Sequence, residues 1–170
     1  DAKVIKRVIL KCCQHTTLYT YIAQYINDIS TKLDDDHLII QIIATIAYNN
    51  DINLLLVKKA NILTLLFQHI DNNNNKHDDD LINNCFAALR NLCITPNILE
   101  ICIKEYNLVS YCYQILKQYY TIFTVTSLQL QMNSIRLLAS SIRRRTRRSE
   151  DKDDVSIIIN EDYWSLLTSY

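Results

Sequence analysis

The chain has 170 residues, of which 49% are apolar and 21% are charged, with 18 basic and 18 acidic side chains. These proportions are those of ordinary globular proteins and exclude a largely disordered chain. The balanced charge excludes a uniformly charged surface for nucleic acid or anionic lipid, so charge-driven binding requires a local patch. Glycine is absent and proline occurs once, at Pro96, which favours helices and excludes glycine-rich phosphate loops.

Hydropathy and cysteine content bear on the compartment. No apolar run approaches the roughly 20 residues that cross a membrane, and no signal peptide is visible, so we expect no membrane contact. Most of the six cysteines occupy apolar positions of helical patterns, as buried thiols do in a reducing compartment. We therefore expect an intracellular, cytoplasmic protein, with the nucleus as the alternative. The chain begins at Asp1 within a helical pattern, which predicts a piece of a longer protein.

Acidic runs precede two apolar helical segments. Residues 34–36 and residues 78–80 are aspartate triplets, and each is followed closely by the apolar positions of a helix. Carboxylates at a helix start accept the free backbone N–H groups and lie at the positive end of the helix dipole, so we expect helix caps. A calcium loop across 71–80 is excluded, because Lys76 replaces the required glycine and Ile82 the required glutamate.

The chain repeats itself at a separation of 46 residues. Residues 52–70 align without a gap on residues 98–116. The same separation aligns residues 39–47 with 85–93 and with 131–139. The identical pairs of the longer alignment are Ile52/Ile98, Lys58/Lys104, Asn61/Asn107 and Gln68/Gln114. A period of this length indicates stacked helical units of the armadillo or HEAT kind, which repeat every 40–47 residues or so.

The middle copy has the clearest helical pattern. Its apolar residues between positions 81 and 93 recur every three or four residues, as in a helix with one buried face. Within this copy, residues 87–93 (AALRNLC) resemble the armadillo repeat family, together with residues that follow at matching positions. Those residues are Asn97, Ile103, Asn107, Leu108 and Leu116. Asn61 and Asn107 stand at the family's glycine, where asparagine best tolerates the left-handed backbone.

The resemblance implies an all-α, right-handed α-α superhelix, which is an armadillo-like solenoid of about three to four degenerate repeats, with HEAT repeats as the alternative. An incomplete unit would fill residues 1–30, followed by units at 36–80, 81–126 and 127–170. The third helices, which line the family's concave groove, would span 37–48, 81–94 and 127–142. Helix pairs would fill 51–70 and 97–120, and residues 155–167 would begin another pair.

The predicted groove helices carry the candidate partner site. Arg90 and Arg136 are 46 residues apart, so they hold equivalent positions on successive groove helices, which pack roughly 8–10 Å apart. We expect Arg90, Asn91 and Arg136 to bind a partner segment, with Asn91 bonding its backbone and the arginines its carboxylates. The alternative is two solvated surface arginines. Of the groove asparagines on which importin-α proteins rely, Asn91 alone is present, so their recognition of basic peptides is not expected.

A second candidate is a dense basic run near the end of the chain. Its members are Arg143, Arg144, Arg145, Arg147 and Arg148. Acidic residues follow immediately, which predicts a solvated, self-neutralising loop over 143–154. Contact of the five arginines with RNA or phosphate is the alternative.

The remaining reactive side chains do not form a catalytic or metal-binding motif. Cys85, Cys93, Cys102 and Cys112 are 8, 9 and 10 residues apart, unlike the paired ligands of zinc sites, and the four histidines match no metal-binding motif. We expect no enzyme activity, cofactor, metal or small-molecule ligand. The predicted function is a scaffold or adaptor that binds a protein partner along its groove. The alternative is a structural subunit of a large intracellular assembly, either cytoskeletal or ribonucleoprotein. In that case the arginine run would contact RNA or phosphate.

Overall fold

The computed structural model describes residues 36–47, 53–54, 56–58, 61–73 and 78–148. Within these ranges the backbone forms helices and turns without a strand, which confirms the all-α prediction. The helices are α1 (Asp36–Ile46), α2 (Ile62–Asn73), α3 (Asp79–Leu92), α4 (Pro96–Glu105), α5 (Leu108–Tyr119) and α6 (Val125–Arg148). Residues 53–54 and 56–58 are helical as well. The predicted unit at 1–30 and the helix start at 155–167 lie outside the described residues.

Helices α1, α3 and α6 coincide with the three predicted groove helices, and each begins one or two residues before its predicted start. The difference is at the end of α6, which continues to Arg148, so residues 143–148 are helix where we expected loop. Arginine has a high helix propensity, and positive charge is favourable at a helix C-terminus. These two effects outweigh the mutual repulsion of the arginines. Residues 149–154 of the expected loop lie outside the described part of the chain.

Two layers of helices are built around α3. Helix α3 packs against both α1 and α6, while α2 packs on α3 and α5 packs on α6. Hydrogen bonds join equivalent positions of α3 and α6: Thr126 Oγ1 donates to Asp80 Oδ1 at 2.9 Å, and Asn83 Nδ2 donates to Gln129 Oε1 at 3.1 Å. Both pairs are 46 residues apart. Helices α3 and α6 therefore lie side by side and parallel, displaced by one sequence repeat.

The aspartate triplet at the start of α3 ties this helix to three neighbours. Asp78 caps α3 by accepting the backbone N–H of Leu81 at 3.1 Å, as predicted, and its other oxygen lies 2.9 Å from Nε2 of His37 on α1. Asp79 accepts the phenol hydroxyl of Tyr119 on α5. Asp80 accepts Thr126 Oγ1 on α6, as described above. The acidic run is therefore structural, because every carboxylate in it has a hydrogen-bond partner.

Two asparagines turn the chain between helices at matching places. Asn61 precedes α2 with φ 48°, and Asn107 precedes α5 with φ 52° and ψ 39°, which is the left-handed region. A side chain with a Cβ is strained there, and asparagine tolerates the strain better than other residues do. The prediction that these asparagines replace a turn glycine is confirmed in its backbone geometry.

This geometry makes a prediction for the turn at Asn107, whose side chain makes no capping hydrogen bond. Asn107→Ala is expected to lower the free energy of unfolding by about 1 kcal/mol, because alanine is strained at positive φ, whereas Asn107→Gly should be neutral or stabilising. Urea denaturation of the variants measures both effects. Asn97→Ala is the matched control, since Asn97 is exposed within helix α4. Equal effects of alanine at both positions would contradict the strained turn.

Candidate functional site

A hydrogen-bonded row of polar side chains crosses α3 and α6 and reaches the backbone of α1, and it begins at Asn91. The Asn91 side chain is buried, with an exposed fraction of 3%. Its Nδ2 donates to the backbone oxygen of Ala44 on α1 at 2.8 Å. Its Oδ1 accepts from Nε and Nη2 of Arg90 at 3.3 and 3.1 Å. Because both ends of this amide are engaged, Asn91 fixes the direction of the Arg90 side chain.

The row continues from Arg90 to α6. Arg90 Nη1 donates to Asn133 Oδ1 at 2.8 Å, and Asn133 Nδ2 donates to Asn83 Oδ1 at 3.1 Å. Asn83 in turn donates to Gln129 on α6. We call Asn83, Arg90, Asn91, Gln129 and Asn133 the amide ladder. Each amide of the ladder has a partner, including the buried amides of Asn91 and Asn133, so the ladder fixes the relative positions of three helices.

Charge is what distinguishes this face. The acceptors of Arg90 are neutral amide oxygens, so its positive charge is not neutralised by them. Arg136, one repeat later on α6, is exposed. Among the described residues, no carboxylate lies within ion-pair distance of either guanidinium. The aspartate triplet lies at the opposite end of α3 from Arg90. Two arginines on adjacent, parallel helices thus form a local positive patch in a chain with no net charge.

The structure places the predicted groove residues as follows. Arg90 and Arg136 lie on neighbouring helices, with Arg90 half-buried and Arg136 exposed, and Asn91 is buried beneath Arg90. Contact of Asn91 with a partner's backbone stays a prediction. In the structure, the Asn91 side chain bonds Ala44 and Arg90 instead. In this geometry Asn91 orients an arginine. Sequence reasoning did not identify the roles of Asn83, Gln129 and Asn133, although the separation of 46 residues between Asn83 and Gln129 was a usable signal.

The arginine run forms the last turns of α6. Arg143 is exposed, and the backbone of residues 144–148 continues the helix. Contact of this run with RNA or phosphate stays a prediction.

An aromatic cleft lies in the other layer, between α2 and the turn from α4 to α5. Its volume is about 470 Å³. Phe67 stacks on Tyr106 with ring centroids 4.7 Å apart, and Tyr111 packs tilted against Phe67 at 5.3 Å. Tyr111 donates its hydroxyl hydrogen to Asp71 at 2.6 Å. These contacts join α2 to the following helix pair, so the tyrosines of the cleft serve the packing between repeats.

The four described cysteines are buried in the core and form no disulfide with one another. Cys93 Sγ donates to Cys102 Sγ at 3.8 Å, and this bond together with burial raises the pKa of Cys93 well above its usual range. Burial likewise raises the pKa of Cys112. These two thiols stay protonated at neutral pH and act as small apolar groups. Residues 36–148, as far as described, contain no group of three histidine, cysteine, aspartate or glutamate side chains arranged for a metal ion.

The two tyrosine–aspartate bonds predict a loss of stability in alkali. Burial and the bond to Asp71 raise the pKa of Tyr111 from 10 to about 12, and burial and the bond to Asp79 raise that of Tyr119. Because the folded pKa lies above the unfolded one, the stabilisation is complete below pH 10 and is lost as the pH rises towards 12. Urea denaturation across this pH range should show a smaller loss of unfolding free energy in the double variant Tyr111→Phe/Tyr119→Phe than in the wild type.

Tyr120→Phe is the control for this measurement, because Tyr120 is 55% exposed. The unfolding free energy of the Tyr120→Phe variant should depend on pH as that of the wild type does. If the double variant and the wild type lose the same stability in alkali, the assigned role of the two phenols is contradicted.

The comparisons with known proteins do not bear on this site. No protein-family model, curated protein or solved structure matches the chain. None of the described helices is long and apolar enough to cross a membrane. The interpretation of the site therefore depends on its own geometry and charge.

Proposed function

We propose that the chain is a non-enzymatic scaffold whose face across α1, α3 and α6 binds an extended, acidic segment of a protein partner. We further propose that its units stack as a right-handed, armadillo-like superhelix. Three observations support the stacking: the parallel arrangement of α3 and α6, the hydrogen bonds between positions 46 residues apart, and the left-handed asparagines at matching turns. Stacked repeats leave a long face that suits an extended ligand.

The unneutralised charge of Arg90 and Arg136 carries the proposal. Packed helices lie roughly 8–10 Å apart, and an extended peptide advances about 3.4 Å per residue. Two carboxylates two or three residues apart in a bound segment therefore match the spacing of the two guanidinium groups. Arginine forms paired hydrogen bonds to a carboxylate, which are stronger than those between neutral groups. The amide ladder holds Arg90 in place before binding, so little of its side-chain entropy is lost on binding.

The rest of the face favours an extended ligand over an apolar helix. On this face His37 and Asn83 already hydrogen-bond Asp78 and the amide ladder, whereas Gln41 on α1 is polar and exposed. Such side chains hydrogen-bond a peptide backbone, whereas an amphipathic helix requires an apolar groove. The expected partner is therefore a protein segment with spaced acidic residues and few large apolar ones.

Charge reversal tests the proposal. The probe is a fluorescent peptide with glutamate at every third position, compared with the same peptide carrying glutamine instead. Fluorescence anisotropy should show binding of the glutamate peptide only. Arg136→Glu should weaken it at least about tenfold, and Arg90→Glu/Arg136→Glu should weaken it further, since each lost charge-assisted bond is worth about 1.5–3 kcal/mol before solvent screening.

Lys117→Glu is the matched control, because Lys117 is an exposed cation on α5, outside the face. This variant should bind the glutamate peptide as the wild type does. Arg136 is exposed, so its replacement tests the patch without disturbing the amide ladder. Equal binding of both peptides, or unchanged binding by Arg136→Glu, would sink the proposal. Tighter binding to an RNA oligonucleotide, lost on replacing Arg143, would favour the alternative function instead.

A further inference from the structure

The aromatic cleft between α2 and the turn from α4 to α5 has the lining of a cation site. Of the described residues that line it, Asp71 and Glu105 are carboxylates, and none is a lysine, arginine or histidine. Both carboxylates are exposed. The cleft volume of about 470 Å³ is within the range of roughly 300–1,000 Å³ found for ligand pockets. The cleft is therefore a local negative site in a chain with no net charge.

The rings of the cleft are held in place without a ligand. Tyr106 stacks on the buried ring of Phe67 with an interplanar angle of 14°, and its hydroxyl lies 2.8 Å from Thr64 Oγ1. Tyr111 is fixed through its hydroxyl, which donates to Asp71 Oδ1 at 2.6 Å. Phe67 covers only one face of the Tyr106 ring, and Tyr106 is half-buried, so part of this ring is open to a planar group in the cleft.

The sequence repeat does not require this lining. The positions 46 residues before Glu105, Tyr106 and Tyr111 hold the residues Lys59, Ala60 and Leu65. An aliphatic side chain packs between helices without a polar group that needs a hydrogen-bond partner. Packing between repeats therefore accounts for the rings of the cleft, but it does not account for their hydroxyl groups or for the neighbouring carboxylates.

We propose that the cleft binds a guanidinium group, carried by an arginine of a protein segment or by a small molecule. A guanidinium is planar and positively charged, so it stacks on the open part of the Tyr106 ring. Its N–H groups then donate to the carboxylates of Asp71 and Glu105, which accept them in pairs. Gln68 on α2 and Gln114 on α5 are exposed at the cleft, at equivalent positions of the repeat, and their amides hydrogen-bond the rest of the ligand.

Two other cations fit this lining less well. A quaternary ammonium group has no N–H to donate to the carboxylates, and it binds among several open ring faces, whereas Tyr106 and Phe67 cover each other. A lysine ammonium pairs with a carboxylate, but it is compact and strongly hydrated and does not stack as a planar group does. The parallel rings and the two carboxylates therefore favour a guanidinium group.

The cleft and the face that binds acidic segments lie in different layers, so the two proposals can fail separately. The probe is a glycine–serine peptide with one arginine, compared with the same peptide carrying neutral citrulline or lysine. In the full chain labelled with ¹⁵N, the arginine peptide should shift the backbone NMR signals of Asn107 and Ser110, which line the cleft, in a saturable titration. The citrulline peptide should bind at least about tenfold more weakly, and the lysine peptide at least about fivefold.

Removal of the two negative charges tests the carboxylates. Asp71→Asn/Glu105→Gln should weaken binding of the arginine peptide at least about tenfold, and Glu105→Gln alone at least about threefold, since Glu105 is exposed and its charge is partly screened. Asparagine at position 71 keeps an acceptor for the Tyr111 hydroxyl, so the rings stay in place. Glu100→Gln is the matched control, because it removes a carboxylate from α4 outside the cleft. This variant should bind as the wild type does.

Methylguanidinium distinguishes the two sources of the group. If it shifts the same signals and binds as tightly as the arginine peptide, the ligand is a small molecule. If the peptide binds more tightly, the ligand is an arginine within a chain. Equal binding of the arginine and citrulline peptides, or unchanged binding by the double variant, would overturn the proposal. A lysine peptide that binds as tightly as the arginine peptide would contradict the choice of guanidinium.

Discussion

Burial of α3 on both of its sides is the constraint on which the rest of the structure depends. Phe86 and Leu89 are completely buried, and each such side chain contributes about 1.5–3 kcal/mol of hydrophobic stabilisation. A net hydrogen bond of the amide ladder contributes less, about 0.5–1.5 kcal/mol. Apolar burial therefore holds the helices together. The ladder decides their register, because sliding α6 by one turn would leave the buried amide of Asn133 without its partners Arg90 and Asn83.

The repeat pattern was sufficient to predict much of this fold. Helix positions followed from apolar spacing and from the separation of 46 residues, and the asparagine turns followed from the resemblance to the armadillo pattern. The amide ladder was not predictable, because which side chains meet depends on how each helix is rotated about its axis and on the distance between axes. The arginine run was predicted wrongly as loop, since its charge pattern received more weight than the helix propensity of arginine.

The positive patch follows from where the fold places its acidic residues. Asp78, Asp79 and Asp80 are the carboxylates at the start of α3, and all three hold this helix to its neighbours. They lie at the opposite end of α3 from Arg90, about 15 Å or more along the helix axis, so they do not pair with its charge. The same hydrogen-bond network that fixes the helices leaves one guanidinium oriented and another exposed on the next helix. This link between packing and charge is the physical basis of the proposed recognition of acidic segments.

The central claim is that α1, α3 and α6 are successive members of a row, displaced by one repeat each. Spin labels attached through Ala44→Cys and Arg136→Cys, with Cys12 and Cys13 replaced by serine, test it through the distance between α1 and α6. Two helix steps of 8–10 Å predict a label separation of about 20 Å, twice that of the adjacent pair at positions 44 and 90. Equal separations of about 10 Å for both pairs would show a closed bundle and contradict the account.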